Sequence, residues 1–73
     1  MDHYWQRRVT EVLRARPEGM TLAEVADRIG LSSAGAWPAL DALARAGLVR
    51  ESRQRRTDGR RNRYVSIWRL RSR

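Results

Sequence analysis

Hydrophobic residues near the start of the chain recur with the spacing of a helix that buries one face. The residues of this face are Trp5, Val9, Val12 and Leu13. Positions i, i+4, i+7 and i+8 lie on one side of a helix, so the pattern predicts a first helix over about residues 3–16. Asp2 can cap its start, and Pro17 with Gly19 ends it.

A second helix is predicted over residues 21–29. Thr21 and Glu24 have the spacing of a capping box, in which each side chain bonds the backbone N–H of the other residue. The apolar positions at helical spacing are Leu22, Val25, Ala26 and Ile29. Gly30 supplies the C-terminal stop.

A third helix is predicted over residues 33–46, after a short turn. Ser32 and Ser33 can cap it, and Gly47 ends it. Its inner face is expected to carry Ala36, Leu40 and Leu43. Pro38 removes one backbone hydrogen bond, so the first turn is expected to bend or loosen. A helix, a turn that contains glycine and a further helix form the helix-turn-helix arrangement.

The hydrophobic period changes from 3.6 to 2 after the third helix, which indicates strands. The strand candidates are residues 48–54 and 63–70, with Val65 and Ile67 on one face. Asp58 and Gly59 lie between them in an arginine-rich connection and form a hairpin-turn signal.

Three helices followed by a two-stranded wing over residues 48–70 predict an α+β fold, the winged helix-turn-helix, with residues 1–73 as a single domain. The chain has no cysteine and one histidine, His3, so it lacks a disulfide, a thiolate metal site and a nucleophile–histidine pair. No apolar run approaches the roughly 18 residues that span a bilayer. We therefore expect a protein of the bacterial cytoplasm or nucleoid that is not an enzyme and needs no cofactor or small-molecule effector.

The charge of the chain is concentrated at one end. Its 16 basic and 8 acidic residues give a net charge of +8, and every basic residue is arginine. Residues 1–49 sum to zero, whereas residues 50–73 carry the whole excess. Such a basic segment is typical of a surface that binds a polyanion. The alternative is a solvated tail that keeps the protein in solution.

Two blocks of the sequence resemble PadR-type transcriptional regulators. Residues 31–49 read LSSAGAWPALDALARAGLV, similar to the family's recognition helix, L-S-x-G-T-L-Y-P-A-L followed by x-x-L-x-x-x-G-L-V. Residues 59–67 read GRRNRYVSI, similar to the family's wing, G-R-x-R-K-Y-Y-x-L. The resemblance implies that Pro38 belongs inside the third helix and that the chain is a repressor-like regulator that binds double-stranded DNA.

The chain departs from this family at two points. Ala34 and Gly35 stand where the family has G-T, so the threonine hydroxyl is missing. Family members usually carry further C-terminal helices that build a dimer, and this chain ends soon after the wing. A homodimer is therefore expected through Tyr4 and Trp5 of the first helix or through Trp68 of the last strand.

The predicted DNA contacts divide between the third helix and the wing. A helix fits the major groove, about 12 Å wide, and arginines on a ribbon neutralise phosphates. The candidate contacts are Thr21, Ser32, Ser33, Ala34, Trp37, Arg45, Arg53, Arg55, Arg56, Arg60, Arg61 and Arg63. Few of the helix residues can read bases, which favours modest specificity or readout of DNA shape. Asp41 is expected to pair with Arg45 four residues later.

Other functions fit the same pattern. A phage or plasmid factor that shapes or partitions DNA would need the same charge as a promoter repressor. Tyr64 and Trp68 among arginines also suit an RNA-binding module in which they stack on bases, although aromatics of paired strands are expected to cover the open side of the core. A winged helix that docks on an acidic protein is a further alternative.

Overall fold

The order of elements is three helices and then two antiparallel strands. The computed structural model describes residues 3–59 and 61–71, apart from the side chains of Asp58, Arg61 and Asn62. The elements are α1 Tyr4–Arg14, α2 Leu22–Ile29, α3 Ser33–Arg45, β1 Val49–Asp58 and β2 Arg61–Leu70. This is a winged helix-turn-helix, as the sequence predicts.

α1 is shorter than its pattern predicts, and its first turn is only partly buried. His3 occupies the N-cap position without a side-chain hydrogen bond, whereas Asp2, the predicted cap, lies outside the described residues. Val9, Val12 and Leu13 are buried, but Trp5 is 39% exposed. Trp5 shares the helical spacing of the buried residues but lies at the edge of the core, where an aromatic this large is expected in so short a domain. It lies at the edge of the contact between α1 and α3, where it lines a cavity with Pro38.

The caps of α2 and α3 follow the sequence signals. The backbone N–H of Glu24 donates to Thr21 Oγ1 at 3.1 Å, and the backbone N–H of Thr21 donates to Glu24 Oε1 at 2.9 Å. The capping box is therefore confirmed. Gly30 ends α2 in the left-handed region with φ of 79°. Ser32 caps α3 by accepting a hydrogen bond from the Gly35 N–H at 3.1 Å.

α3 runs through Pro38 without a break. Proline in a helix removes one hydrogen bond, and the remaining bonds and the packing keep the helix continuous over Ser33–Arg45. The position of Pro38 inside the helix, implied by the resemblance, is confirmed. The buried residues of α3 are Ala36, Ala39, Leu40 and Leu43.

The wing strands are longer than the hydrophobic pattern predicts. Pairing runs from Val49 opposite Leu70 to Asp58 opposite Arg61, so the arginine-rich connection is itself strand. The predicted strand ends at residues 54 and 63 are therefore wrong, because strand pairing uses backbone groups and a run of polar residues carries no periodic signal. Gly59, with φ of 61°, follows β1 at the predicted turn.

The register divides the wing into two faces. Residues directly opposite each other in an antiparallel pair share a face, and neighbours along a strand alternate. The inner face, which continues the core, carries Val49, Glu51, Arg53, Arg55, Thr57, Tyr64, Ser66, Trp68 and Leu70. The outer face carries Arg50, Ser52, Gln54, Arg56, Arg63, Val65, Ile67 and Arg69. Val65 and Ile67 therefore share a face, as predicted.

A third backbone segment extends the sheet at Met20. Its N–H donates to Trp68 O at 2.9 Å, and the Trp68 N–H donates to Met20 O at 2.7 Å. Both residues are buried in the cluster that joins the three helices to the sheet. Among the described residues that are buried, none is polar or charged. The base of the wing is therefore part of the core.

Gly19 allows this close approach, and Gly19→Ala is expected to destabilise the fold. Its φ of 98° strains any other residue, and an added Cβ would overlap Ile67 Cγ2 and lie 3.1 Å from Trp68 O. Gly30→Ala is the matched control, because Gly30 also has positive φ but has no atom within 4 Å of the added Cβ. We expect a loss of about 1 kcal/mol for the control and about 2–4 kcal/mol for Gly19→Ala in urea unfolding followed by circular dichroism. Equal losses would contradict a steric role for Gly19.

Candidate nucleic-acid interface

The start of α3 presents two small side chains and one indole to solvent. Ser33, Ala34 and Trp37 are exposed, and Trp37 keeps 45% of its surface accessible. Ser32 is exposed as well, but its Oγ accepts the capping hydrogen bond from Gly35. Its hydroxyl can still donate a proton to a phosphate oxygen. This end of α3 is therefore small enough to enter a groove and offers few groups that read bases.

Asp41 and Arg45 form an ion pair on the exposed side of α3. The distance from Arg45 Nε to Asp41 Oδ2 is 3.1 Å, which confirms the predicted pairing. Arg45 lies 12 residues after Ser33, which is about 18 Å along a helix. The two ends of α3 therefore meet different parts of any bound duplex, and the Arg45 charge is offset by its partner.

Trp37 connects α3 to the base of the wing. Its ring meets the ring of Trp68 edge to face, with centroids 5.5 Å apart and planes at 72°. This arrangement is favourable between aromatic quadrupoles and contributes about 0.5–1.5 kcal/mol beyond surface burial. Trp68 lies on the inner face of β2, so this contact places the inner face on the side of α3.

The wing arginines do not form one surface. Arg53 and Arg55 lie on the inner face, and Arg56 and Arg63 lie on the outer face. The register thus separates the predicted wing contacts into two groups, because residues adjacent in a strand point in opposite directions. Arg60, and the side chain of Arg61, fall outside the described part of the chain.

Tyr64 and Trp68 have different environments although both lie on the inner face. Trp68 is 3% exposed and belongs to the core, as expected for an aromatic of a paired strand. Tyr64 lies opposite Arg55 and is 67% exposed, so the expectation that it covers the core is wrong. Trp68 is too buried to stack on a base or to form a dimer contact. The predictions that it stacks on RNA bases and that it forms a dimer contact are therefore wrong. Tyr4 and Trp5 keep exposed surface on α1.

The start of α2 carries its own carboxylate. Glu24 accepts the backbone N–H of Thr21, and this hydrogen bond, with the charges of Arg56 and Arg16, lowers the pKa of Glu24 below its ordinary value of 4.5. The Glu24 carboxylate thus already occupies the backbone N–H of Thr21 at this end of α2. This disfavours Thr21 as a phosphate contact.

Sequence reasoning missed a group of basic residues at the base of the wing. Arg50 and Arg69 are directly opposed on the outer face, and Arg71 follows Arg69 by two residues. These arginines alternate with other residues along their strands, as the period of 2 requires. Their position on a common face can be recognised only when the strand register is known. Within the described ranges, no group of three His, Cys, Asp or Glu residues could hold a metal ion. None of the helices described has the length and apolar character needed to cross a membrane.

The fold, the exposed start of α3 and the arginine-bearing wing define a DNA-binding winged helix of the transcription-regulator class. The chain belongs to the IclR helix-turn-helix domain family, whose model matches residues 8–53, more than half of the sequence. This match covers α1 from residue 8 onward, all of α2 and α3, and the start of β1. It does not extend to the wing turn or to β2.

A solved winged-helix regulator is similar to the chain in both sequence and structure. This is the zinc-responsive MarR family member ZitR of Lactococcus lactis, with a TM-score of 0.71 and 29% identity. The similarity covers 90% of this chain and 41% of that chain. No curated protein sequence matches the chain.

The lowered pKa of Glu24 leads to a prediction on acid stability. A carboxylate whose pKa is lowered in the folded state stabilises that state above its unfolded pKa, and the effect is lost as the pH falls through the folded pKa. Glu24→Gln keeps an oxygen that can accept the Thr21 N–H but removes the charge. The wild-type protein should therefore be more stable than Glu24→Gln at pH 7, and the difference should vanish well below pH 4.5.

Thermal unfolding between pH 2.5 and pH 7 measures this difference. Glu18→Gln is the control, because Glu18 makes no hydrogen bond among the described residues. If both variants follow the same curve, the capping carboxylate does not contribute to acid sensitivity.

Proposed function

We propose that this DNA-binding protein lays the start of α3 in the major groove and the inner face of the wing along the neighbouring phosphate backbone. The observation that carries this proposal is the contact between Trp37 and Trp68. It joins the exposed side of α3 to the wing face that bears Arg53 and Arg55. One side of the molecule thus combines a helix that fits a groove with two guanidinium groups.

The inner-face arginines are suited to phosphate. Arg53 lies opposite Ser66, and Arg55 lies opposite Tyr64. Among the residues described, neither arginine forms an ion pair, since the pairs found are Arg8–Glu11 and Arg45–Asp41. A free guanidinium can bind a phosphate through two parallel hydrogen bonds. Trp68 is paired with Glu51, and Arg55 lies four residues further along β1, which is about 13 Å along the strand.

The role in the cell that we propose is repression of a promoter with modest sequence specificity. The start of α3 supplies one hydroxyl from Ser33 and apolar contacts from Ala34 and Trp37, so most of the affinity would come from phosphates. The proposal also includes three finer points. The regulator is of the PadR type, residues 1–73 form a single domain, and the protein acts in the bacterial cytoplasm. A homodimer would use Tyr4 and Trp5, which stay exposed on α1.

Replacing both inner-face arginines tests the wing contact. Arg53→Gln with Arg55→Gln should weaken binding to every duplex sequence and flatten the log–log dependence of affinity on salt by about 1.8, at about 0.9 per phosphate contact. Fluorescence anisotropy of a labelled duplex between 50 and 300 mM salt measures both quantities. Arg7→Gln with Arg28→Gln removes the same charge from exposed helix positions and should leave the slope unchanged. A slope that stays at the wild-type value in both variants would exclude the inner face from the contact.

A negative charge at the start of α3 tests the groove contact. Ser33 is the first residue of α3, where an acidic side chain favours the helix dipole, so Ser33→Glu should fold normally. It should nevertheless lower duplex affinity at least about tenfold, because a carboxylate would face phosphates and base edges. Gln6→Glu on α1 makes the same change in charge and should bind like the wild type.

The same anisotropy assay distinguishes the proposal from RNA binding. A single-stranded RNA of equal length should bind more weakly than the duplex at each salt concentration. Tighter binding of the RNA, with the Ser33→Glu variant unaffected, would overturn the proposed DNA-binding mode.

A further inference from the structure

Three arginines lie together on the outer face at the base of the wing. Arg50 is directly opposite Arg69 in the register. Arg71 continues the alternation of β2, and its N–H donates to Leu48 O at 3.1 Å. Arg50, Arg69 and Arg71 line one cavity together with Leu70. We call these three arginines the basal cluster.

The basal cluster places like charges side by side in the sheet. Like charges directly opposed across two strands destabilise a sheet, and here that arrangement joins Arg50 to Arg69. Among the described residues, none of the three forms an ion pair. The buried Nε of Arg69 also has no hydrogen-bond partner among them. An anion bound at the exposed guanidinium groups of the cluster would offset the repulsion between them.

The basal cluster cannot meet the duplex that the inner face binds. Arg50 and Arg69 lie on the opposite face of the sheet from Trp68 and therefore from the start of α3, and the Arg71 guanidinium lies beside Gly47, beyond the C-terminal end of α3. The Arg50 rung is also six residues from the Arg56 rung near the wing tip, about 20 Å along the strand.

We propose that the basal cluster binds the phosphate backbone of a second duplex, so that one molecule can bridge two segments of DNA. This inference rests on the proposed function, because the first duplex occupies α3 and the inner face. Guanidinium forks match phosphate oxygens, and the described outer face has no aromatic side chain of the kind that anchors protein interfaces. These features favour a nucleic-acid backbone over an acidic protein.

A capture assay tests bridging with the full chain. One duplex is fixed to beads, a second duplex of the same sequence carries a fluorophore, and the protein is added in low salt. The wild-type protein should retain the labelled duplex on the beads. Arg50→Gln with Arg71→Gln should reduce the retained duplex by about tenfold or more, because two phosphate contacts are lost. Both positions are exposed, so the fold should persist.

A separate anisotropy measurement with a single duplex isolates the first site. Arg50→Gln with Arg71→Gln should change the Kd for that duplex less than about twofold, since the basal cluster faces away from it. Arg7→Gln with Arg28→Gln is the charge-matched control and should bridge like the wild type. Failure to bind even one duplex would count against the proposed function, whereas binding one duplex without capturing the second would overturn only this inference.

Two further outcomes would overturn the role of the basal cluster. Full capture by the Arg50→Gln, Arg71→Gln variant is the result expected if bridging comes from a dimer with two α3 helices. Retention of labelled polyglutamate instead of the duplex, lost in the same variant, would assign the cluster to an acidic protein partner.

Discussion

The double hydrogen bond between Met20 and Trp68 holds the wing to the helical core. The same residue, Trp68, is buried in that core and meets Trp37 of α3 edge to face. An indole buries a large apolar surface, so one side chain contributes to the sheet, the core and the position of α3 together. Because adjacent residues of a strand point in opposite directions, the placement of Trp68 also determines the direction of the other β2 side chains.

This anchoring gives the arginine-rich segment its two distinct surfaces. Sequence composition shows a net charge of +8, all of it in residues 50–73, but composition carries no direction. The antiparallel register sends Arg53 and Arg55 toward the side of α3 and sends Arg50 and Arg69 away from it. The total charge explains why the protein attracts a polyanion. The strand register determines which arginines can contact the same polyanion molecule.

Most of the fold can be predicted from the sequence, because helix caps and the spacing of apolar residues depend on local interactions. The capping box of Thr21 and Glu24, the Ser32 cap and the apolar stripe of α3 were all confirmed by the structure. The errors arose where contacts between residues distant in sequence determine the structure. Tyr64 lies on the inner face of β2 but is 67% exposed, and residues 55–58 pair as strand without an apolar pattern. The candidate site was predicted as a list of residues, whereas its division into faces required the pairing of two strands.

Side chains alternate between the two faces of the wing, so the face on which each arginine lies depends on the number of residues in the strand. It depends less on the total number of arginines. Inserting one residue between Val49 and Arg53, or deleting Ser52, would keep every arginine but move each later residue of β1 to the opposite face. Arg53 and Arg55 would then change sides with Arg56. Substitutions at single arginines would act gradually by comparison. Lineages of this protein should therefore accept arginine losses in β1 more readily than one-residue changes in strand length, while two-residue changes preserve the parity of both surfaces.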